Sequence, residues 1–198
     1  LYTIYAVSSD AAIIAVSDFK TVGVLFVDAQ SKEVISESRA VDFDIDEFTS
    51  VSDIKFSKDN KYAYIAYSNG ELAKVAISDG SKVQDYEGVD SSINSAVLSD
   101  DDRWLAINTA DKNAVIINSE TGEAKHKIDG EAYALSENSG RLEVIGTLND
   151  DIFSWTQEDG EKITSTNNLR QGLSNHSLNY NSISPDKKYM LTSISSGE

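Results

Sequence analysis

The hydrophobic positions of this chain fall into short runs that are separated by polar turns. The runs at residues 13–16, 62–67 and 114–117 are nearly continuous in apolar residues. Runs of this length are typical of strands that are buried on both faces. Residues 123–128 instead alternate between polar and apolar side chains, which indicates a strand with one solvated face. Turn residues interrupt nearly every window, so no stretch favours a helix.

A six-residue pattern recurs along the chain: Ser, any residue, Asp, any residue, Lys or Arg, and a large apolar residue. Clear copies begin at Ser57, Ser99 and Ser184, a weaker copy begins at Ser8, and a copy with one inserted residue begins at Ser136. Ser and Asp side chains bond the nearby backbone, and Asp or Asn tolerates the left-handed region. Each copy therefore predicts a tight turn that precedes a strand.

The turns and the runs between them divide the chain into units of four short antiparallel strands. The units cover approximately residues 2–38, 51–86, 93–128 and 131–166, and a fifth unit at residues 179–198 has only two strands. In three units a marked turn, at residues 78–80, 120–122 or 158–160, separates the third strand from the fourth. We therefore expect one all-β domain over residues 1–198.

Repeated four-stranded units of about 40 residues are the blades of a β-propeller. The turn at residues 184–189, Ser-Pro-Asp-Lys-Lys-Tyr, resembles the Ser-Pro-Asp-Gly-Lys-Tyr signature of WD40-like propellers. The stretch from Ile14 to Asp28 is similar to the YVTN-type repeat of bacterial propellers. The chain departs from eukaryotic WD40 blades, because it has no Gly-His pair and Trp155 is followed by Thr156 instead of Asp. The resemblance implies a propeller of the looser bacterial type.

The number of units leaves a ring open, because four and a half blades do not close the common rings of six to eight. Three explanations stay open: a longer protein supplies the remaining blades, the chain forms an unusually small closed ring, or it pairs with a second copy. The first is favoured by the absence of an initiator Met. An open end is expected to expose a sheet face and unpaired strand edges.

Composition narrows the class of partner. The chain has 33 Asp and Glu against 17 Lys and Arg, a net charge of −16. This charge argues against binding to nucleic acid or to an anionic membrane. No apolar stretch approaches the length of a membrane span, and the lack of cysteine excludes thiol chemistry.

The sequence contains few residues or motifs that could catalyse a reaction or bind a metal or cofactor. The acidic run Asp42, Asp44, Asp46 and Glu47 has alternate carboxylates, but Glu47 stands where a calcium-binding EF-hand needs Gly, so we favour an edge strand. The chain has only two histidines, no Gly-x-Ser-x-Gly and no glycine-rich phosphate loop. We expect no catalytic residue, cofactor or metal. His126 is expected on the surface of an outer strand, and Trp104 and Trp155 are expected to pack between blades.

Two long connectors between blades, residues 39–50 and 167–178, are expected on one face of the propeller, where loops commonly bind partners. The second connector carries Arg170, Asn175 and His176. A lone cation in an acidic surround would select a carboxylate-bearing partner. We interpret this connector as a possible partner-binding loop.

A propeller fold does not by itself fix a function. We expect a non-enzymatic interaction scaffold that binds a protein partner. The alternative that the resemblance implies is the propeller portion of, or an accessory factor to, a larger bacterial enzyme or periplasmic redox assembly. The resemblance also implies a periplasmic or exported location, with the cytoplasm as the alternative.

Overall fold

The computed structural model describes residues 2–18, 23–38, 49–86, 89–148, 151–158, 161–162, 176–184 and 189–196. Within these ranges every regular element is a β-strand and none is a helix. The strands form four antiparallel sheets of four strands each and one sheet of two strands. The all-β prediction is therefore confirmed.

Each sheet takes its strands in chain order, and we call the sheets blades 1 to 5. Blade 1 comprises β1 (Tyr2–Val7), β2 (Ile13–Asp18), β3 (Val24–Asp28) and β4 (Val34–Ser38). Blade 2 comprises β5 (Val51–Phe56), β6 (Tyr62–Tyr67), β7 (Leu72–Ala76) and β8 (Lys82–Asp85). Blade 3 comprises β9 (Ile93–Leu98), β10 (Trp104–Thr109), β11 (Asn113–Asn118) and β12 (Ala124–Asp129). Blade 4 comprises β13 (Glu131–Asn138), β14 (Arg141–Leu148), β15 (Asp151–Glu158) and β16 (Glu161–Lys162). Blade 5 comprises β17 (His176–Ile183) and β18 (Met190–Ser196).

The first strand of each blade lies against the first strand of the next, in the order β1, β5, β9, β13 and β17. These inner strands run side by side, and the fourth strand of each complete blade lies farthest from them. This is the arrangement of propeller blades around a central channel.

The repeated Ser-x-Asp motif forms the same turn after β1, β5 and β9. The Ser hydroxyl donates a hydrogen bond to the Asp carboxylate two residues on, at 2.6, 2.8 and 2.7 Å. The Ser oxygen also accepts the N–H of the first residue of the next strand, at 2.9, 3.0 and 3.0 Å. The residue three positions after each Ser has a positive φ: Ala11 (58°), Asn60 (55°) and Asp102 (60°). The turn prediction is confirmed at these three sites.

The copy that begins at Ser136 forms a different turn. Strands β13 and β14 extend to the Asn138–Arg141 pair, so only Ser139 and Gly140 connect them. Both residues have positive φ, 54° and 81°, as a two-residue hairpin turn of type I′ requires. The inserted residue thus lengthens the hairpin instead of distorting a Ser-x-Asp turn.

The hydrophobic core lies between successive blades. Blades 1 and 2 share one cluster, which includes Phe26 and Ile65. Blades 2 and 3 share a second, which includes Tyr64 and Leu105, and blades 3 and 4 share a third around Phe153. Strands β6 and β10 are buried at five of their six positions, so the prediction that second strands are buried on both faces is confirmed for blades 2 and 3.

Hydrogen bonds also join adjacent blades. The Ser36 hydroxyl donates to the carbonyl of Ile77, and the Tyr86 hydroxyl donates to the carbonyl of Ser119 at 2.6 Å. The buried Asn108 amide bonds both the N–H and the carbonyl of Ala132 at 2.8 Å. Because these partners lie in different blades, the blades are held in fixed relative positions.

Candidate functional site

Most of the connector that we predicted to bind a partner lies outside the described residues, including Arg170 and Asn175. His176 is the first residue of β17 and pairs with Ser196, so this strand begins three residues before the expected start at residue 179. The structure does not describe the His176 side chain. Residues 39–48 of the other long connector, with their acidic run, also lie outside the described part of the chain.

A cleft of about 590 Å³ opens among the inner strands β5, β9 and β13 and the turns that follow β5 and β9. We call it the inner cleft. It is lined by Lys55, Phe56, Lys58, Ala96, Val97, Leu98, Ser99, Asp100, Asp102 and Tyr133. Phe56, Val97 and Leu98 are half-buried, which gives the cleft apolar walls beside charged groups. Its volume is in the range that accommodates a small molecule or a short peptide segment.

The positive charge of Lys55 is matched within the blade. Its ammonium group lies 2.9 Å from the Asp53 carboxylate. The same carboxylate accepts the N–H of Ala96 in the neighbouring inner strand at 2.9 Å. Asp53 thus fixes the spacing of β5 and β9 and holds Lys55 at the wall of the inner cleft.

Asp102 is a carboxyl group of the inner cleft whose charged form is disfavoured by its surroundings. It accepts the N–H of Lys58 in the preceding blade at 2.8 Å. Burial raises the pKa of the Asp102 carboxyl, and the nearby Asp59 carboxylate raises it further. A cationic group that entered the cleft beside Asp102 would relieve this repulsion.

The pKa values of the other turn carboxylates are shifted in the opposite direction, downward. The N–H of Lys61 and the Ser57 hydroxyl lower the pKa of Asp59, and the Ser8 hydroxyl and the N–H of Ala12 lower that of Asp10. Burial alone would raise the pKa of Asp101, but bonds from Ser99 and Arg103 outweigh it and the net shift is downward. These aspartates are therefore charged at neutral pH.

A second groove, of about 350 Å³, lies beside the outer strand β12. It is lined by Lys125, His126 and Lys127 together with residues of the connectors, among them Asp90 and Asp111. His126 is half-buried, and its ring centroid lies 5.0 Å from that of Trp155 in blade 4. His126 therefore lies on the outer strand β12, as expected, and its partly exposed ring packs beside Trp155 at the junction of two blades.

The two tryptophans differ in burial. Trp155 is 7% exposed and belongs to the cluster between blades 3 and 4, as predicted. Trp104 is half-buried and packs against the same cluster, also as predicted, and its indole N–H donates to the Glu137 carboxylate at 2.6 Å. Arg103 also pairs with Glu137, at 3.1 Å. Glu137 thus anchors blade 3 to blade 4, a role that its position in an irregular copy of the turn motif did not reveal.

Within the described part of the chain, no three acidic or histidine side chains form a cluster that would hold a metal ion. The same residues contain no helix with the length and hydropathy that a membrane crossing requires.

No protein-family model and no curated protein matches this chain. Solved structures do match. The structure of U3-55K, a WD40 propeller protein, superposes on 82% of this chain and 51% of its own chain with a TM-score of 0.64 and 12% identity. Hydrazine synthase of Kuenenia stuttgartiensis, which has propeller domains, superposes on 93% of this chain and 53% of its own with a TM-score of 0.60 and 14% identity.

At these identities the similarity shows the fold alone. Together with the four-stranded antiparallel sheets, it defines the chain as an all-β protein of β-propeller fold. The chain spans about half the length of each of these two structures.

Proposed function

We propose that this chain is a non-enzymatic interaction scaffold and that its inner cleft binds a basic segment of a protein partner. The observation that carries the proposal is the inner cleft itself, a space of about 590 Å³ with apolar walls and with Asp100 and Asp102 at its rim. The Lys55 ammonium group is paired with Asp53, whereas the charge of Lys58, which also lines the cleft, acts to lower the pKa of Asp102 and offsets part of the negative charge at the rim. Electrostatic complementarity of this kind mainly raises the association rate and the specificity.

The rigidity of the blades supports this function. The Asp53 bond to Ala96 joins the inner strands β5 and β9, and the Asn108 bonds to Ala132 join the second strand of blade 3 to the inner strand β13. A partner therefore meets a preformed surface, and binding costs little conformational entropy of the scaffold.

The test is fluorescence anisotropy with a labelled peptide that alternates Leu and Arg, and with a peptide of equal length that alternates Leu and Glu. We expect the basic peptide alone to bind, and Asp100→Lys to weaken binding by at least about tenfold. Glu33→Lys is the matched control, because it makes the same charge change at an exposed turn of blade 1. Equal weakening by both variants, or no binding of the basic peptide, would contradict a defined site in the cleft.

A second candidate function is the propeller portion of a larger enzyme assembly. The structural match to hydrazine synthase over 93% of this chain supports this second candidate. The genomic sequence on both sides of the coding region tests it. A Gly-x-Ser-x-Gly or a Cys-x-x-Cys-His in the same reading frame would support the enzyme assembly, whereas further blades alone would support the scaffold.

A further inference from the structure

The groove beside the outer strand β12, which we call the outer groove, is lined by charged groups of both signs. Lys125 and Lys127 line it from β12. Asp90 lines it from the connector between blades 2 and 3, and Asp111 lines it from the turn between β10 and β11. The cations therefore lie along the strand, and the carboxylates lie at the end of the groove where the connector and the turn meet.

Most of these charges are not neutralised by a neighbouring side chain. The Lys125 ammonium group lies 2.5 Å from the Glu123 carboxylate. Lys127, Asp90 and Asp111 form no ion pair with any residue that the structure describes. A ligand in the outer groove therefore meets one unpaired ammonium group and two unpaired carboxylates.

Apolar surface lies between the charges. Val89 and Val115 line the outer groove, and both pack against the hydrophobic cluster that blades 2 and 3 share. The ring of His126 does not add to the charge there, because it packs beside Trp155 on the side of blade 4. The outer groove thus combines an aliphatic floor with opposite charges.

The repeat explains why blade 3 has room for this groove. Thr109, which lines the outer groove, is the last residue of β10, and the last residue of β6 in blade 2 is Tyr67. Both side chains are buried, with exposed fractions of 3% and 0%. Because threonine is much smaller than tyrosine, it leaves space that the tyrosine ring fills in blade 2.

The backbone around the outer groove is held in place. The N–H of Ala110 donates to the carbonyl of Ser92 at 2.9 Å, and the N–H of Val89 donates to the carbonyl of Gly70 at 3.1 Å. A Cβ atom on Gly70 would lie 2.4 Å from the carbonyl oxygen of Val89, so the connector packs directly on the glycine. The outer groove is therefore preformed, which lowers the entropic cost of binding.

From these observations we propose that the outer groove binds a dipeptide that has free termini and apolar side chains. Lys127 would pair with its carboxylate, and Asp90 and Asp111 with its ammonium group, as charge-assisted hydrogen bonds. Its side chains would cover the apolar floor. The volume of about 350 Å³ suits a ligand of this size.

The spacing of the charges favours a dipeptide over a single amino acid. Lys127 pairs with Val115, which follows Asp111 by four residues, so the two charged positions are about 10 Å apart along the strand. An extended dipeptide spans about 7 Å, and the flexible lysine side chain reaches across the remaining distance. The proposal is independent of the inner cleft, which is lined by turns at the opposite ends of the strands.

The experiment is isothermal titration calorimetry of the full chain with leucyl-leucine. Two blocked forms serve as comparisons: N-acetyl-leucyl-leucine, which has no ammonium group, and leucyl-leucinamide, which has no carboxylate. We expect leucyl-leucine to bind, and each blocked form to bind more weakly by at least about tenfold, because each loses one charge-assisted contact.

Variants of the outer groove assign each terminus to its partner. Lys127→Gln should weaken leucyl-leucine by at least about tenfold and leave leucyl-leucinamide unchanged, because the amide has no carboxylate to lose a contact. The double variant Asp90→Asn with Asp111→Asn should remove the preference for leucyl-leucine over its acetylated form. The matched control is Lys112→Gln, an exposed lysine of the same turn that does not line the groove.

Circular dichroism verifies that each variant is folded, and unchanged binding of the Leu-Arg peptide by Lys127→Gln separates this site from the inner cleft. No binding of leucyl-leucine at millimolar concentration would overturn the proposal. So would equal affinity for the blocked forms, or equal weakening by Lys112→Gln and Lys127→Gln. Weakening that is confined to the groove variants and to the matching terminus supports it.

Discussion

At the scale of single residues, the turn positions show how one motif supplies both local structure and contact between blades. The Asp two residues after each Ser caps the turn within its own blade. The next residue has positive φ, and in blades 2 and 3 its side chain reaches the preceding turn. Asn favours that backbone conformation as readily as Asp and carries no charge. The charge of Asp102 is therefore not required for its structural role.

Asp102→Asn should stabilise the protein at neutral pH. The amide oxygen keeps the bond from the Lys58 N–H, and the repulsion from Asp59 is lost. Because the pKa of Asp102 is raised in the folded state, this carboxyl favours folding when it is protonated, and that contribution is lost as the pH rises above about 4. We expect a gain of about 0.5 kcal/mol at pH 7, since solvent screens this partly exposed group.

Denaturant titrations of wild type and Asp102→Asn at pH 3 and pH 7 measure this effect. The difference between the two proteins should be present at pH 7 and should shrink at pH 3. A variant that is less stable at pH 7 would mean that the negative charge itself strengthens the link between blades 2 and 3.

At the scale of elements, the packing of one blade on the next depends on close approach at the turn between the third and fourth strands. Gly80 occupies this turn with φ of +74°, and a Cβ atom there would lie 2.1 Å from the carbonyl oxygen of Glu37 in blade 1. Gly140 also has a positive φ, +81°, but a Cβ atom there would meet nothing within 4 Å. A comparison of the two glycines therefore distinguishes the free-energy cost of backbone strain from that of a steric clash between blades.

Gly80→Ala should destabilise the protein by at least about 3 kcal/mol, because it adds a steric clash between blades to the backbone strain. Gly140→Ala should cost only the strain of about 1 kcal/mol. Thermal or denaturant unfolding of both variants measures the difference. Similar losses in the two variants would show that the junction of blades 1 and 2 relaxes without cost.

Sequence alone predicted the elements because their signals are local. Alternation of polarity and the Ser-x-Asp turns fixed the strands of the first three blades, and the nearly continuous apolar run at residues 62–67 indicated burial on both faces. The start of β17 was missed because Ser177 and Asn179 interrupt its apolar pattern. The inner cleft and the anchor at Glu137 were missed because their residues come from different blades, and no local pattern records which side chains meet there.

At the scale of the whole molecule, the propeller fold and the net charge have opposing effects on the stability of the folded chain. The propeller fold brings the Ser-x-Asp turns of successive blades close enough for bonds between them. With 33 acidic against 17 basic residues, the folded chain repels itself more strongly than the expanded unfolded chain does. The same field would attract the basic partner that we propose for the inner cleft. Stability and partner binding should therefore respond to salt in opposite directions.

Raising the salt concentration from about 10 mM to about 150 mM shortens the Debye length from about 30 Å to about 8 Å. We expect the midpoint of thermal unfolding to rise over this range, because screening relieves the repulsion among the excess carboxylates. The association rate of the Leu-Arg peptide should fall over the same range by at least about tenfold. Differential scanning calorimetry at low protein concentration and stopped-flow anisotropy make the two measurements, with potassium chloride as the salt. An unfolding midpoint that falls as salt is added would contradict this prediction. It would show that attractive ion pairs such as Arg103–Glu137 contribute more to stability than the repulsion from the net charge takes away.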